Sequence, residues 1–149
     1  MRNGRETTAI EVEPPVLDDR EFPLAVPGES VAYGRVFRVH VLDAPPTGDL
    51  AAHCSPRRQI FDAAALGKDL VIRCRRPGDR FTPMGMDGTK KLKDYFADAG
   101  VPAWERDRRP LLVAGGRIVW VVGGAISGHA AVGPQTKKCL EIEVADAAE

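Results

Sequence analysis

Between Arg73 and Lys93 the chain carries seven basic residues, Arg73, Arg75, Arg76, Arg80, Lys90, Lys91 and Lys93, in the run RCRRPGDRFTPMGMDGTKKLK. Arginine's planar guanidinium donates paired hydrogen bonds to phosphate oxygens, so arginines gathered around Pro77 and Gly78 suit phosphate binding. On an extended strand Arg73 and Arg75 share one face, two residues apart, a spacing that can straddle phosphates. Lys90, Lys91 and Lys93 stand at the opening of a predicted helix, where the positive end of the macrodipole disfavours each cation by about 0.3–1 kcal/mol. A placement that local stability opposes points to an external anion. The competing reading is structural. Asp79 lies among the arginines and can tie down guanidinium groups and loop amides, and a lysine triplet by itself is usually a solvated face. Arg106, Arg108 and Arg109 can extend the same surface.

The elements that must position these side chains follow from periodicity. RVFRVHVL (35–42) alternates, with Phe37, Val39 and Val41 forming a wholly apolar face, and predicts a half-buried strand. Residues 58–62 and 69–76 predict two more strands. The Gly- and Pro-rich loop 77–88 leads into the helix, whose apolar stripe is Leu92, Tyr95, Phe96 and Ala99. Asp87 or Thr89 is the expected N-cap, Gly100 the C′ residue, and Pro102 forbids continuation. LLVA, Gly115-Gly116 and RIVWVV read as a hairpin, and 137–144 as a final strand. Phe81, Trp104 and Trp120 are expected to pack, with base stacking the lesser alternative for Phe81 and Trp104. Met84 and Met86 are expected to help seat the loop. Short strands around one main short helix define an α+β, mostly antiparallel, β-sandwich-like domain.

Composition narrows the function classes. Formal net charge is zero, but residues 1–34 hold three Lys/Arg against seven Asp/Glu, while residues 68–109 hold eleven against seven. That asymmetry is compatible with a basic face on a neutral protein. Residues 1–30, acidic and rich in proline, read as a partly ordered lead-in or linker ahead of a domain at 31–149. Cys54, Cys74 and Cys139 form no CxxC pair and read as buried, reduced thiols. No apolar run is long enough to span a membrane, and no signal-peptide core is present, so the expected compartment is the cytoplasm. There is no GxxxxGK[ST], no GxGxxG and no HExxH. His53-Cys54 and the Asp94/Asp98 pair are better explained by chain adjacency and by surface ion pairs with Lys90 and Lys91. The chain alone reads as a binding module, with no catalytic, cofactor or metal residues of its own.

The ordered block RRPGDRF…GMDGTKKLKDYF…VP…RDRRPLL, followed by RIVWVVGG and TKKCLEIEV, resembles the C-terminal domain of tRNA(Ile)-lysidine synthetase, most specifically over residues 69–143. The resemblance implies a fold similar to a module of phenylalanyl-tRNA synthetase. It also implies an enzyme that uses ATP to adenylate the wobble cytidine of an isoleucine tRNA and then attaches lysine. The catalytic domain of that family carries an SGGxDS-type loop that this chain lacks. The implied role is therefore a tRNA-binding domain that engages the acceptor stem, partnered in cis or in trans by a catalytic ligase domain. Arg73, Arg75, Arg76, Arg80, Lys90, Lys91 and Lys93 are the implied RNA-facing residues. Two positions depart from the family: Ala125 and Ala131 stand where basic residues often occur. They leave open an alternative, a divergent stand-alone structural or protein-interaction domain that has lost tRNA binding.

Overall fold

Leu111 and Val113 face one way along a short strand, Leu112 and Ala114 the other, and all four are buried. A strand apolar on both faces must lie between two layers. The computed structural model describes residues 19–147 and shows those layers. Its strands are β1 (Phe22–Pro23), β2 (Gly28–Ala32), β3 (Arg35–Leu42), β4 (Arg58–Asp62), β5 (Leu70–Arg73), β6 (Arg80–Phe81), β7 (Lys90–Lys91), β8 (Leu111–Ala114), β9 (Arg117–Val121) and β10 (Cys139–Asp146). The α-helices are α1 (Ala63–Leu66), α2 (Leu92–Asp98) and α3 (Ala103–Arg106).

One four-stranded sheet has the order β9-β8-β5-β1 and the other β2-β3-β10-β4, while β6 and β7 form a separate ribbon. Every strand pairing is antiparallel. Between the sheets Ile72, Leu112 and Trp120 meet Phe37, Phe61 and Ile142. Each such fully buried apolar side chain contributes about 1.5–3 kcal/mol. On the opposite face of the first sheet, Leu111, Val113, Ile118 and Val121 receive Phe81 from the ribbon, Leu92 and Phe96 from α2, and Val101 just beyond it. A register shift between Ile118 and Trp120 lets Val119 and Trp120 both serve the inter-sheet core. Such a bulge breaks strict alternation without breaking the strand. The expected sandwich-like α+β fold is borne out.

The hairpin of β8 and β9 turns on Gly115 and Gly116, both at positive φ, as a two-residue turn between antiparallel strands requires. α2 ends in a Schellman motif. The Val101 amide donates to Phe96 O at 3.0 Å and Gly100 to Ala97 O at 3.1 Å, with Gly100 at φ 74° and Phe96 packed with Val101.

Several local expectations are corrected. The helix begins at Leu92, its N-cap position is Lys91, and no side chain caps it. Neither Asp87 nor Thr89 serves, because Lys90 and Lys91 are held extended against Arg80 and Phe81. Burial of Phe81 and Leu92 in one cluster fixes that ribbon. Lys90 and Lys91 therefore precede α2, and an opposed helix dipole no longer accounts for them. The predicted strand 69–76 stops at Arg73. Val41 is exposed, as are Met84 and Met86, which seat the loop through backbone bonds to Ile126 and Pro83. Of the acidic lead-in, residues 1–18 lie outside the described residues. The remainder supplies β1 to one sheet and β2 to the other.

Candidate nucleic-acid interface

Asp79 organises the basic loop. Its Oδ2 accepts from Arg73 Nη1 at 2.9 Å and from the Arg76 amide at 2.7 Å, and its Oδ1 accepts from Arg73 Nη2 at 3.0 Å. The Arg73 side chain is only 7% exposed and also donates to Cys74 O. A charge this far from water is retained only where it is paired and hydrogen-bonded. Arg73, expected on the RNA-facing surface, is thus a buried brace of the loop.

The braced loop arches over the start of α2, where Asp79 O accepts from the Leu92 amide at 2.9 Å. Between them lies a surface pocket of about 450 Å³ lined by Arg75, Arg76, Arg80, Lys91 and Lys93. Five of the seven expected residues, the outermost 18 positions apart in the chain, converge there. Their electrostatic states differ. Arg75 Nε donates to Asp107 at 2.6 Å, and Arg76 donates to Glu21 at 2.8 Å and to Asp19 O. Lys90, outside the pocket, is paired with Asp98. Arg80 is exposed and spends one N–H on Thr89 O at 3.2 Å, with no carboxylate partner among the described residues. Lys91 and Lys93 are exposed and make no ion pair among the described residues. Exposed pairs such as Arg76–Glu21 contribute about 0–1 kcal/mol, weak enough for a polyanion to displace.

Arg106 and Arg109 do not extend the face freely. Arg106 Nε donates to Val101 O at 2.8 Å, and Arg109 is held by Glu105 and by Val122 O. Arg108 alone of the three is exposed and without a side-chain partner among the described residues. Sequence reasoning missed Arg117, which lies beside Arg80 in an adjoining hollow with His129. It stands nearly 40 residues downstream, and no local pattern joins it to the loop. Ala125 and Ala131 occupy structural places. The Ala125 amide donates to the Tyr95 hydroxyl at 3.0 Å, and Ala131 bridges Phe61.

Cys74 and Cys139 are buried, Cys54 is half-buried, and all three are free thiols. Burial, and secondarily the Asp62 carboxylate, pushes the Cys139 thiol above its ordinary range, which suits a core residue and not a nucleophile. No His, Cys, Asp and Glu cluster among the described residues could hold a metal ion. No helix among them is long and apolar enough to cross a membrane.

A two-sheet antiparallel domain with a cationic loop pocket sets the class, and solved structures share that architecture. An N-terminal fragment of the phenylalanyl-tRNA synthetase β-subunit from Pyrococcus horikoshii aligns with a TM-score of 0.56 over 74% of this chain and 38% of that one, at 15% identity, a likeness of fold. A crystal structure of the TilS C-terminal domain aligns with a TM-score of 0.71 over 87% of this chain and 98% of that one, at 29% identity. Residues 70–143 match the family model of the TilS substrate C-terminal domain. The chain belongs to the tRNA(Ile)-lysidine synthase family, as its C-terminal domain. It is 39% identical over 121 residues to the tRNA(Ile)-lysidine synthase of Caldanaerobacter subterraneus subsp. tengcongensis, covering 80% of this chain and 26% of that protein. It is 42% identical over 105 residues to that of Symbiobacterium thermophilum, covering 70% of this chain and 22% of that protein. The chain thus spans about a quarter of the length of these relatives.

Proposed function

We propose that this domain binds the phosphate backbone of a structured tRNA through Arg80, Lys91 and Lys93, and presents it to a catalytic ligase domain supplied in cis or in trans. The observation that carries the reading is the convergence on one pocket of these three cations, which have no ion pair among the described residues, while Arg73, Arg75, Arg76 and Lys90 are engaged by carboxylates. Phosphate contacts of this kind position a nucleic acid without reading its sequence. On an A-form acceptor stem, recognition would rest on backbone, 2′-hydroxyl and shape. In the whole enzyme the outcome would be lysine attached to the wobble cytidine of tRNA(Ile). ATP belongs in this reading to the ligase domain. The loop around Gly78 runs into a strand, β6, and so lacks the glycine-rich loop opening onto a helix that cradles a triphosphate.

The test is a titration of the purified chain with folded isoleucine tRNA carrying the CAU anticodon, against a tRNA with a different acceptor stem, at two salt concentrations. Salt-sensitive binding that prefers the isoleucine tRNA is the expected result. Absence of binding at low salt, persisting when the ligase domain is added, would refute it. A second reading, a structural or protein-interaction domain, is favoured by the four engaged cations and by the exposed Met84 and Met86. It predicts no tRNA binding in the same titration.

A further inference from the structure

Trp104, expected to pack, is 68% exposed. An indole left in water is unusual, and its surroundings are more unusual still. It lines a cleft of about 990 Å³ whose walls include Arg35, Arg75, Arg108 and Arg109 against the carboxylates Glu105 and Asp107. Four guanidinium groups against two carboxylates leave the cleft cationic. Of the large apolar side chains exposed among the described residues, Trp104 alone lines it.

The platform is rigid although α3 is only one turn long. Arg106 Nε holds Val101 O just ahead of α3, Arg109 is clamped by Glu105 and Val122 O, and the Glu105 amide donates to Pro102 O at 2.9 Å. Arg75, paired with Asp107, is the wall common to this cleft and the cationic pocket. A phosphodiester chain lying over the pocket would reach the cleft at Arg75.

We propose that the Trp104 cleft takes an unpaired nucleotide of the bound RNA, its base stacked on the indole and its phosphate held by Arg108. The inference rests on the RNA-binding reading above and deepens it. A base inside a duplex offers no free π-face, whereas a base in a tail or bulge does. Arg108, exposed and without an ion pair among the described residues, stands beside Trp104 in the cleft wall and is placed to meet the adjoining phosphate. A protein partner is the poorer match, because a protein contact centred on one tryptophan excludes water with neighbouring apolar side chains. Here six of the nine residues that line the cleft with Trp104 are charged.

The experiment uses the full chain and two RNA hairpins with the same duplex stem, one blunt and one ending in an unpaired four-nucleotide tail. The chain has two tryptophans and Trp120 is wholly buried, so RNA-induced changes in emission report on Trp104. The tailed hairpin is expected to quench that emission and to bind more tightly than the blunt one. Trp104→Ala should weaken tailed binding about 5- to 100-fold, leave blunt binding unchanged, and be largely rescued by Trp104→Phe. Lys91→Glu with Lys93→Glu should weaken both hairpins. Equal binding of the two hairpins with Trp104 emission unmoved would overturn the stacking site and leave the RNA-binding reading standing. The same holds if emission changes only when the ligase domain is added, which would make Trp104 a protein contact. Binding of neither hairpin at low salt, with or without the ligase domain, would overturn both readings.

Discussion

Replacing Asp79 with alanine tests whether the basic loop is braced from within. The substitution removes both carboxylate oxygens that face Arg73, at 2.9 and 3.0 Å, and the acceptor 2.7 Å from the Arg76 amide. Arg73 keeps one bond, to Cys74 O, and stays shut away from solvent. Breaking a buried pair by deleting one partner costs about 3–5 kcal/mol, because the remaining charge is uncompensated. For a chain of this size that amounts to a fall in Tm of about 6–20 °C. Glu29→Ala supplies the contrast, since the Arg38–Glu29 pair is exposed on both sides and is worth about 0–1 kcal/mol. The assay is urea unfolding followed by tryptophan emission, with thermal unfolding alongside. The double variant Arg73→Met with Asp79→Ala removes the stranded charge and should recover about 1–4 kcal/mol relative to Asp79→Ala alone. A loss in Asp79→Ala no larger than in Glu29→Ala would refute the reasoning. So would a double variant no more stable than the single.

Lys91→Glu with Lys93→Glu should lower the slope of log affinity for tRNA against log salt by about two units while leaving the unfolding midpoint unchanged, since each released phosphate contact contributes about 0.9. An unaltered slope would remove these lysines from the interface. Gly124→Ala should destabilise by about 1–3 kcal/mol, because the new Cβ would lie 2.8 Å from the Tyr95 hydroxyl and 3.3 Å from Val121 O. Combined with Tyr95→Phe the two effects should be less than additive, as measured in a double-mutant cycle. Thiol labelling of the native protein should modify Cys54 well before Cys74 or Cys139. The raised Cys139 pKa also has a consequence for stability. As pH rises past the ordinary thiol value, the unfolded chain loses its proton before the native state does, so this group's contribution to stability falls with increasing pH. Cys139→Ala should flatten that part of the stability–pH profile.

Much of the architecture was legible because local periodicity and turn chemistry agree with the fold. The 35–42 strand shows its Phe37–Val39 face, α2 its Leu92–Phe96 stripe, and Gly100 with Pro102 its end. The β8–β9 hairpin announces itself through Gly115-Gly116. β1 was not legible, because its partner lies elsewhere: Phe22 pairs with Ile72, 50 residues away. β2 pairs with the adjacent β3, but its sequence GESVA carries no apolar alternation to announce a strand. The start of α2 was misplaced for a related reason. Lys90 and Lys91 have ordinary helix propensity, and only pairing with Arg80–Phe81 holds them extended. Trp104 was misassigned because hydrophobicity argues for burial unless the fold leaves a side chain nothing to pack against.

The residue types between Arg73 and Lys93 determined, without any structure, that this protein concentrates cationic side chains in one segment, and the ordered block over 69–143 identified its family. They did not determine which cations face outward. Seven basic residues in a row of loop, strand and helix are chemically near-equivalent, and their differences arise from carboxylates brought in by folding. Asp79 reaches back to Arg73 within the loop, but Asp107 comes to Arg75 from beyond α3, and Glu21 to Arg76 from the lead-in. Coulombic pairing decays over a few ångströms, so only the tertiary fold, by setting those distances, decides that Arg80, Lys91 and Lys93 are left without a carboxylate partner among the described residues.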